Sequence, residues 1–251
     1  MLSSLKDKVV CVTGAARRVG RAIALACAQA GANVVIHHGA SDADAASAAA
    51  EARSYSVDAL IVKADLSDPG EIAQMFDAIR AHYGWLDVMV NSAANFKRTP
   101  LLDVPLGEWQ AVIDTNLRAP FLCIQHAARL MIASKRNGVI VNISDNSGLN
   151  AWASRPVHSI SKAGVVMLTQ VAALALAEHA IRVNCVVPGP VLAPAGSPPE
   201  VLGAIAAALP LKRIGNPDDI ARAVMFLATN DFATGTVMRV DGGEGLAGGE
   251  T

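Results

Sequence analysis

The chain has 251 residues, of which 52% are apolar and 17% charged, and its formal net charge is −1. That length supports one well-buried core, the apolar content argues against disorder, and the balanced charge gives no electrostatic reason to bind nucleic acid. No uninterrupted apolar run reaches the ~20 residues of a membrane span, and the opening MLSSLKDK lacks a signal-peptide apolar stretch, so no membrane partner is expected.

In chain order, KVVCVTG (8–14) reads as a buried strand and RAIALACAQAGA (21–32) as a helix stopped by Gly31. NVVIHH (33–38) is a second strand, ALIVKAD (59–65) a third and LDVMVNSA (86–93) a fourth. Between the last two, Asp68, Pro69 and Glu71 form an N-cap, first-turn proline and capping-box pattern. A long helix is expected over about 109–133, a fifth strand at GVIVNIS (138–144) and a second long helix over about 157–177. IRVNCVV (181–187) and GTVMRV (235–240) complete about seven strands. Strand and helix alternating in this way require right-handed crossovers, so the fold class is α/β, a doubly wound parallel sheet in a single domain over 1–251. Ligands of such sheets sit beyond the carboxyl ends of the strands, where strand order reverses.

The four cysteines, Cys11, Cys27, Cys123 and Cys185, stand singly inside apolar runs. They give neither a disulfide framework nor a zinc site and read as reduced core residues of a cytoplasmic protein. His37 and His38 are adjacent on a strand and point to opposite faces, so they are not expected to share a metal.

TGAARRVG (13–20) follows the first strand and opens the first helix. Gly14 permits a tight turn, Gly20 lets helix and sheet approach, and the free N–H groups of the helix start suit a pyrophosphate. Strand two ends in HHGAS with no acid at its tip, while Arg17 and Arg18 stand in the loop beside it. An extra phosphate suits guanidinium groups, whereas an unphosphorylated ribose calls for a carboxylate, so NADPH/NADP+ is the expected cofactor.

With NSAA (91–94), NISD (142–145), HSISK (158–162), VVPGP (186–190) and VDGG (240–243), the sequence resembles the short-chain dehydrogenase/reductases over nearly its whole length. Within that family it is most similar to pteridine reductases. Arg18 stands where most members have the middle glycine of the loop, and Asp145 where most have the catalytic serine. NSAANFKRTPL and PLKRIGNPDDIA match that branch as well. The resemblance implies a Rossmann-type reductase of compact or flat C=O or C=N compounds. It implies that Gly14, Arg17, Arg18, Val19, His37, His38 and Ser41 surround the adenosine phosphate end. Asp65 and Leu66 would flank the adenine, Asn91, Ser92 and Ala93 line the path to the ribose, and Pro188 and Gly189 border the nicotinamide. Asn116 would support Lys162, and the family assembles as a homotetramer, with the two long helices as contact faces.

The family has tyrosine where this chain has His158, while Lys162 is retained. Three readings of His158 follow. It is a general acid, for which an imidazole titrating near neutrality is suited. It marks lost chemistry in a silent NADPH-binding protein, or it is a core histidine. The helix spacing places it one turn from Lys162, on the same face, and Asp145 could fix its tautomer. Phe96, Trp152 and Pro190 are expected substrate walls, with a substrate loop over about 188–212 that cannot continue strand or helix at its Pro- and Gly-rich start.

Overall fold

The computed structural model describes residues 4–192 and 198–247. Seven parallel strands form one sheet in the order β3-β2-β1-β4-β5-β6-β7. They are β1 (Val9–Val12), β2 (Asn33–His38), β3 (Ala59–Lys63), β4 (Val88–Asn91), β5 (Val139–Ile143), β6 (Arg182–Pro188) and β7 (Val237–Val240). The central strands are buried on both faces, which is why they read as continuous Val- and Ile-rich runs rather than as alternating ones. Strand order reverses between β1 and β4, so the loops leaving those two strands open the crevice where a ligand is expected.

Helices α1 (Arg18–Gln29), α2 (Asp42–Arg53) and α8 (Pro217–Thr229) cover one face. On the other face lie α3 (Pro69–Tyr83), α5 (Ala119–Ala133) and α6 (Pro156–Leu176). The short α4 (Leu106–Ile113) precedes α5, and α7 (Pro199–Ala208) lies between β6 and α8. Part of the expected substrate loop, 193–197, lies outside the described residues.

Three local expectations are modified. The helix anticipated over 109–133 is α4 and α5 joined by a π-helical turn, Asp114–Arg118. Pro120 has no N–H to donate to the carbonyl four residues back, at Asn116, so the regular ladder is interrupted there and the turn widens. At α3, Asp68 caps the N–H groups of Gly70 and Glu71, but Glu71 does not return to Asp68. The Asp68 N–H already donates to the Asp65 carbonyl, and the Glu71 carboxylate accepts from the Asp65 N–H at 2.6 Å instead.

The third concerns α6. With the turn that follows it, Pro156–His179 is long and apolar enough to cross a membrane by length and composition, at a mean hydropathy of 1.7. An uninterrupted apolar run misses this because isolated polar residues such as Lys162 break the run without lowering the mean much. Among the described residues one face of this helix packs against β5 and β6 and carries buried polar side chains toward the sheet, while 33% of its most apolar window is buried.

Candidate active site

Gly14 leaves β1 with φ +67°, and a Cβ on Gly20 would lie 2.3 Å from the Gly14 carbonyl oxygen. The loop is therefore wound against the helix start so tightly that only glycine fits at position 20. Its shape is fixed from both sides. Thr13 Oγ1 accepts from the N–H groups of Ser92 (2.9 Å) and Ala93 (3.1 Å), locking the loop after β1 to the loop after β4. The Gly14 N–H donates to His37 Nδ1 (3.1 Å), and His37 Nε2 faces the Ala64 carbonyl at 3.0 Å. His37 is thus a neutral, Nε2-protonated strut, and burial pushes its pKa down to about 4 despite the Ala64 bond.

The adenosine end sorts the basic residues. Arg17 is taken up by Asp44 of α2, and Lys63 by Asp42, so the acids just beyond the β2 tip are both matched. Arg18 is exposed, has φ +54° and makes no ion pair among the described residues. His38, at the end of β2, is buried with an Nδ1 that has no partner among the described residues. Ser41 sits at the N-cap of α2 without a side-chain cap bond, and Val19 is half-buried behind the loop. Asp65 is occupied locally, accepting from the N–H and hydroxyl of Ser67, while Leu66 is buried. A glycine cradle beyond β1, with an unmatched guanidinium and an orphaned ring nitrogen at the neighbouring strand tip, fits a nicotinamide dinucleotide.

Asn91 is buried deeper than the resemblance implies. Its amide donates to Asn142 (2.8 Å), which donates to Thr169 (2.9 Å), a ladder that ties β4 to β5 and α6. On the opposite side of the crevice a Cβ on Gly189 would lie 2.7 Å from Asp241 Cα, and the Gly189 N–H donates to Val240, so Pro188 and Gly189 form a close shelf after β6. Pro190 lines a neighbouring cleft of about 410 Å³ with Val191, Leu209, Arg213 and Arg239.

Asp145, His158, Lys162 and Asn116 are brought together between β5, α6 and the π turn. His158 Nε2 is hydrogen-bonded to Asp145 Oδ2, and its Nδ1 lies 3.5 Å from the Asn116 amide nitrogen. The other Asp145 oxygen accepts from the N–H and hydroxyl of Ser147. Burial alone would raise the Asp145 pKa, but the His158 bond, the charges of His158 and Lys162 and the Ser147 bonds outweigh it, so the carboxyl is held below its ordinary value. Lys162 is fully buried, donates to the Ile143 carbonyl at 2.9 Å, and is pushed down by burial against the opposing pull of Asp145 and Cys185. Asn116 exchanges two hydrogen bonds with the backbone of Asn95 and donates to Ser161, which fixes the loop after β4 above the pair.

The ring of His158 packs edge-on against Phe96 with centroids 4.6 Å apart, and the Arg155 guanidinium carbon lies 3.8 Å over the same Phe96 ring. The His158 side chain is 2% exposed and that of Asp145 20%, so Asp145 is the member of the pair that meets the crevice. Trp152 anchors the start of α6, its N–H donating to Ser159. Sequence reasoning did not single out Asn95, Ser147 or Arg155. For Arg155 a signal was present, a cation immediately before the proline that opens α6.

A family model described as enoyl-(acyl carrier protein) reductase matches residues 14–244. The chain is a short-chain dehydrogenase/reductase. It is 36% identical to the 3-oxoacyl-[acyl-carrier-protein] reductase of Synechocystis sp. over 96% of this chain and 98% of that protein. It is 38% identical to the cis-4-hydroxycyclohexanecarboxylate dehydrogenase of Sinomonas cyclohexanicum, over 97% and 98%. Among solved structures, the acetoin dehydrogenase of Salmonella typhimurium superposes with a TM-score of 0.90 at 30% identity, covering 98% of each chain. These relatives are oxidoreductases on different substrates, and the family uses nicotinamide cofactors; both statements hold for the fold and site of this short-chain dehydrogenase/reductase at that level.

Proposed function

We propose that this short-chain dehydrogenase/reductase is an NADPH-dependent reductase of a compact or flat carbonyl or imine compound, with His158 as its proton source. The observation that carries the reading is the hydrogen-bonded Asp145–His158 pair beside Lys162, at the carboxyl end of β5. Bound NADPH supplies the hydride. Arg18 and His38 hold its additional phosphate, and Lys162, retained from the family pattern, orients the ribose next to the nicotinamide.

Asp145, held ionised, keeps the shared proton on the ring nitrogen of His158 at rest. Proton delivery runs from the imidazolium form of His158, with both ring nitrogens protonated: as the substrate oxygen gains negative charge, Asp145 Oδ2 takes the Nε2 proton and hands it on, and the ring, left as neutral imidazole, regains a proton from solvent. A buried histidine thereby acts through the more exposed carboxylate, which removes the difficulty that imidazole is shorter than a phenol. Asn116, on its π turn, holds the far side of the ring. Phe96 offers a flat wall, consistent with the pteridine-reductase resemblance in Arg18 and Asp145. The exposed apolar faces of α5 and α6, with Phe121, Met167, Val171 and Leu174, support a homotetramer, and four buried free cysteines a cytoplasmic setting.

NADPH oxidation measured with pterins, quinones, diketones and oxo acids tests the reading. Turnover of one class by the wild type, lost in His158→Phe, is the expected result. Equal rates for the two proteins would remove His158 from the mechanism, and tight NADPH binding with no turnover would favour the silent module.

A further inference from the structure

We propose that the substrate carries a carboxylate, received at the rim of the site by Arg155 with Arg98 beside it. The inference rests on the reductase reading for the place where the carbonyl sits, and on independent residues for the anion. Phe96 is the centre of the arrangement: its ring contacts both His158 and the Arg155 guanidinium. An anion bound by Arg155 is thus held beside the ring that packs on the proton-transfer pair.

Arg155 has no carboxylate partner among the described residues, and neither has Arg98. Several other cations facing a neighbouring element are matched by a carboxylate, as Arg17 is by Asp44, Arg21 by Glu51, Lys63 by Asp42 and Arg213 by Asp219. At the rim Arg155 instead lies within the field of a second cation, Arg98. Partial burial and then the Arg98 charge both disfavour the charged form of Arg155, and only Asp145 opposes them. Asp145 is itself engaged by His158 and Ser147 and compensated by Lys162. The mouth of the site therefore holds more positive than negative charge, and like charges kept together without a protein acid are stabilised by an anionic ligand.

The backbone adds to this. Arg155 occupies the N-cap of α6, a helix of 21 residues with no side-chain cap there, so its positive end faces the same rim. A guanidinium resting on an aromatic face keeps N–H groups for a planar, bidentate acceptor, which a carboxylate matches. A neutral pterin or diketone offers this pair of cations hydrogen-bond acceptors but no compensating charge.

The test is binding to the NADPH-loaded protein of cyclohexanecarboxylate and cyclohexanecarboxamide, matched in shape and neither reducible, followed by calorimetry. The carboxylate should bind about tenfold or more tightly than the amide, as charge-assisted hydrogen bonding implies, and the ratio should shrink with added salt. In Arg155→Met the ratio should fall toward unity, while Arg155→Lys should restore part of it. Arg98→Gln should reduce it to a lesser degree. Equal binding of the two ligands, undetectable carboxylate binding, or a ratio unmoved in Arg155→Met overturns the proposal. A merely structural Arg155 would weaken both ligands together and leave the ratio as it was. If the ratio behaves as expected but neither the ketone forms of these rings nor any of the carbonyl classes named above oxidises NADPH, the reductase reading fails while the anion site stands.

Discussion

His37 Nδ1 accepts from the Gly14 N–H at 3.1 Å, so the second strand holds the glycine-bearing loop after the first through one imidazole. That bond exists only while Nδ1 is unprotonated. Burial lowers the His37 pKa from 6.5 to about 4, and the neutral form is therefore the folded form. The sign is that of a depressed base: the contribution is complete above pH 6.5, where folded and unfolded chains are both neutral, and is lost as pH falls toward 4. Over that window it amounts to roughly 3 kcal/mol. Urea titrations at pH 7, 5.5 and 4.5 should show stability falling on the acid side, and in His37→Asn the fall should be shallower. An identical acid limb in the variant would assign the loss to other groups.

Gly20 is the position where backbone crowding is greatest. A Cβ there would sit 2.3 Å from the Gly14 carbonyl oxygen, and the obstacle is backbone that cannot swing away. Gly20→Ala should cost about 1–3 kcal/mol of stability, the range for overpacked sites, and should weaken NADPH binding while leaving helix content near that of wild type. Thermal melts with and without NADPH check this, and a cofactor-induced rise in Tm as large as that of wild type would show that the loop tolerates the methyl group.

Arg18 and His38 are the unmatched polar groups at the β2 tip, and Arg17 is not among them because Asp44 holds it. Arg18→Ala should raise the Kd for NADPH about 10- to 100-fold, the worth of charge-assisted bonds to a phosphate, and leave that for NADH within about threefold. Arg17→Ala should change the NADPH value much less. If the two arginine variants lose affinity equally, or if NADH binds wild type as tightly as NADPH, the charge reading of this pocket is wrong.

Much of this was legible from sequence, and the exceptions share a cause. NVVIHH coincides with β2 because a strand buried on both faces needs only an apolar, β-branched run. Gly31 follows α1 with φ +85°, as a residue past a helix end should. What could not be read was where polar side chains spend their hydrogen bonds. Glu71 turns to Asp65, Arg17 to Asp44, and Asn91 to Asn142, each choice made by geometry that a linear pattern does not carry. The same limit hid the Arg155–Phe96–His158 cluster, in which the loop after β4 meets the start of α6. Pro120 was visible as a helix breaker, but that it widens the turn under Asn116 without ending the helix is a tertiary outcome.

Leu174 is 83% exposed on α6, in line with Met167 and Val171 on the same face. On the proposed homotetramer this stripe is the association surface. Leu174→Glu should lower the mass found by light scattering, from a tetramer to a smaller species, without changing the far-ultraviolet spectrum. A wild type that is monomeric at all concentrations tested would dispose of the homotetramer.

The Asp145–His158 bond lends itself to a double-mutant cycle, because the two side chains are proposed to move one proton as a unit. Each of His158→Phe and Asp145→Asn should lower kcat about 10²- to 10⁴-fold, the usual worth of a general acid. The double variant should be little worse than either single one, since removing one member already disables the relay. Full additivity would mean that the residues act separately, with Asp145 binding substrate and His158 packing under Phe96. Asn116→Ala supplies the control on ring position. It removes the contact to Nδ1 at 3.5 Å and frees the Asn95 backbone, and so should raise KM along with lowering kcat, whereas His158→Phe, which keeps the ring's volume beneath Phe96, should act mainly on kcat.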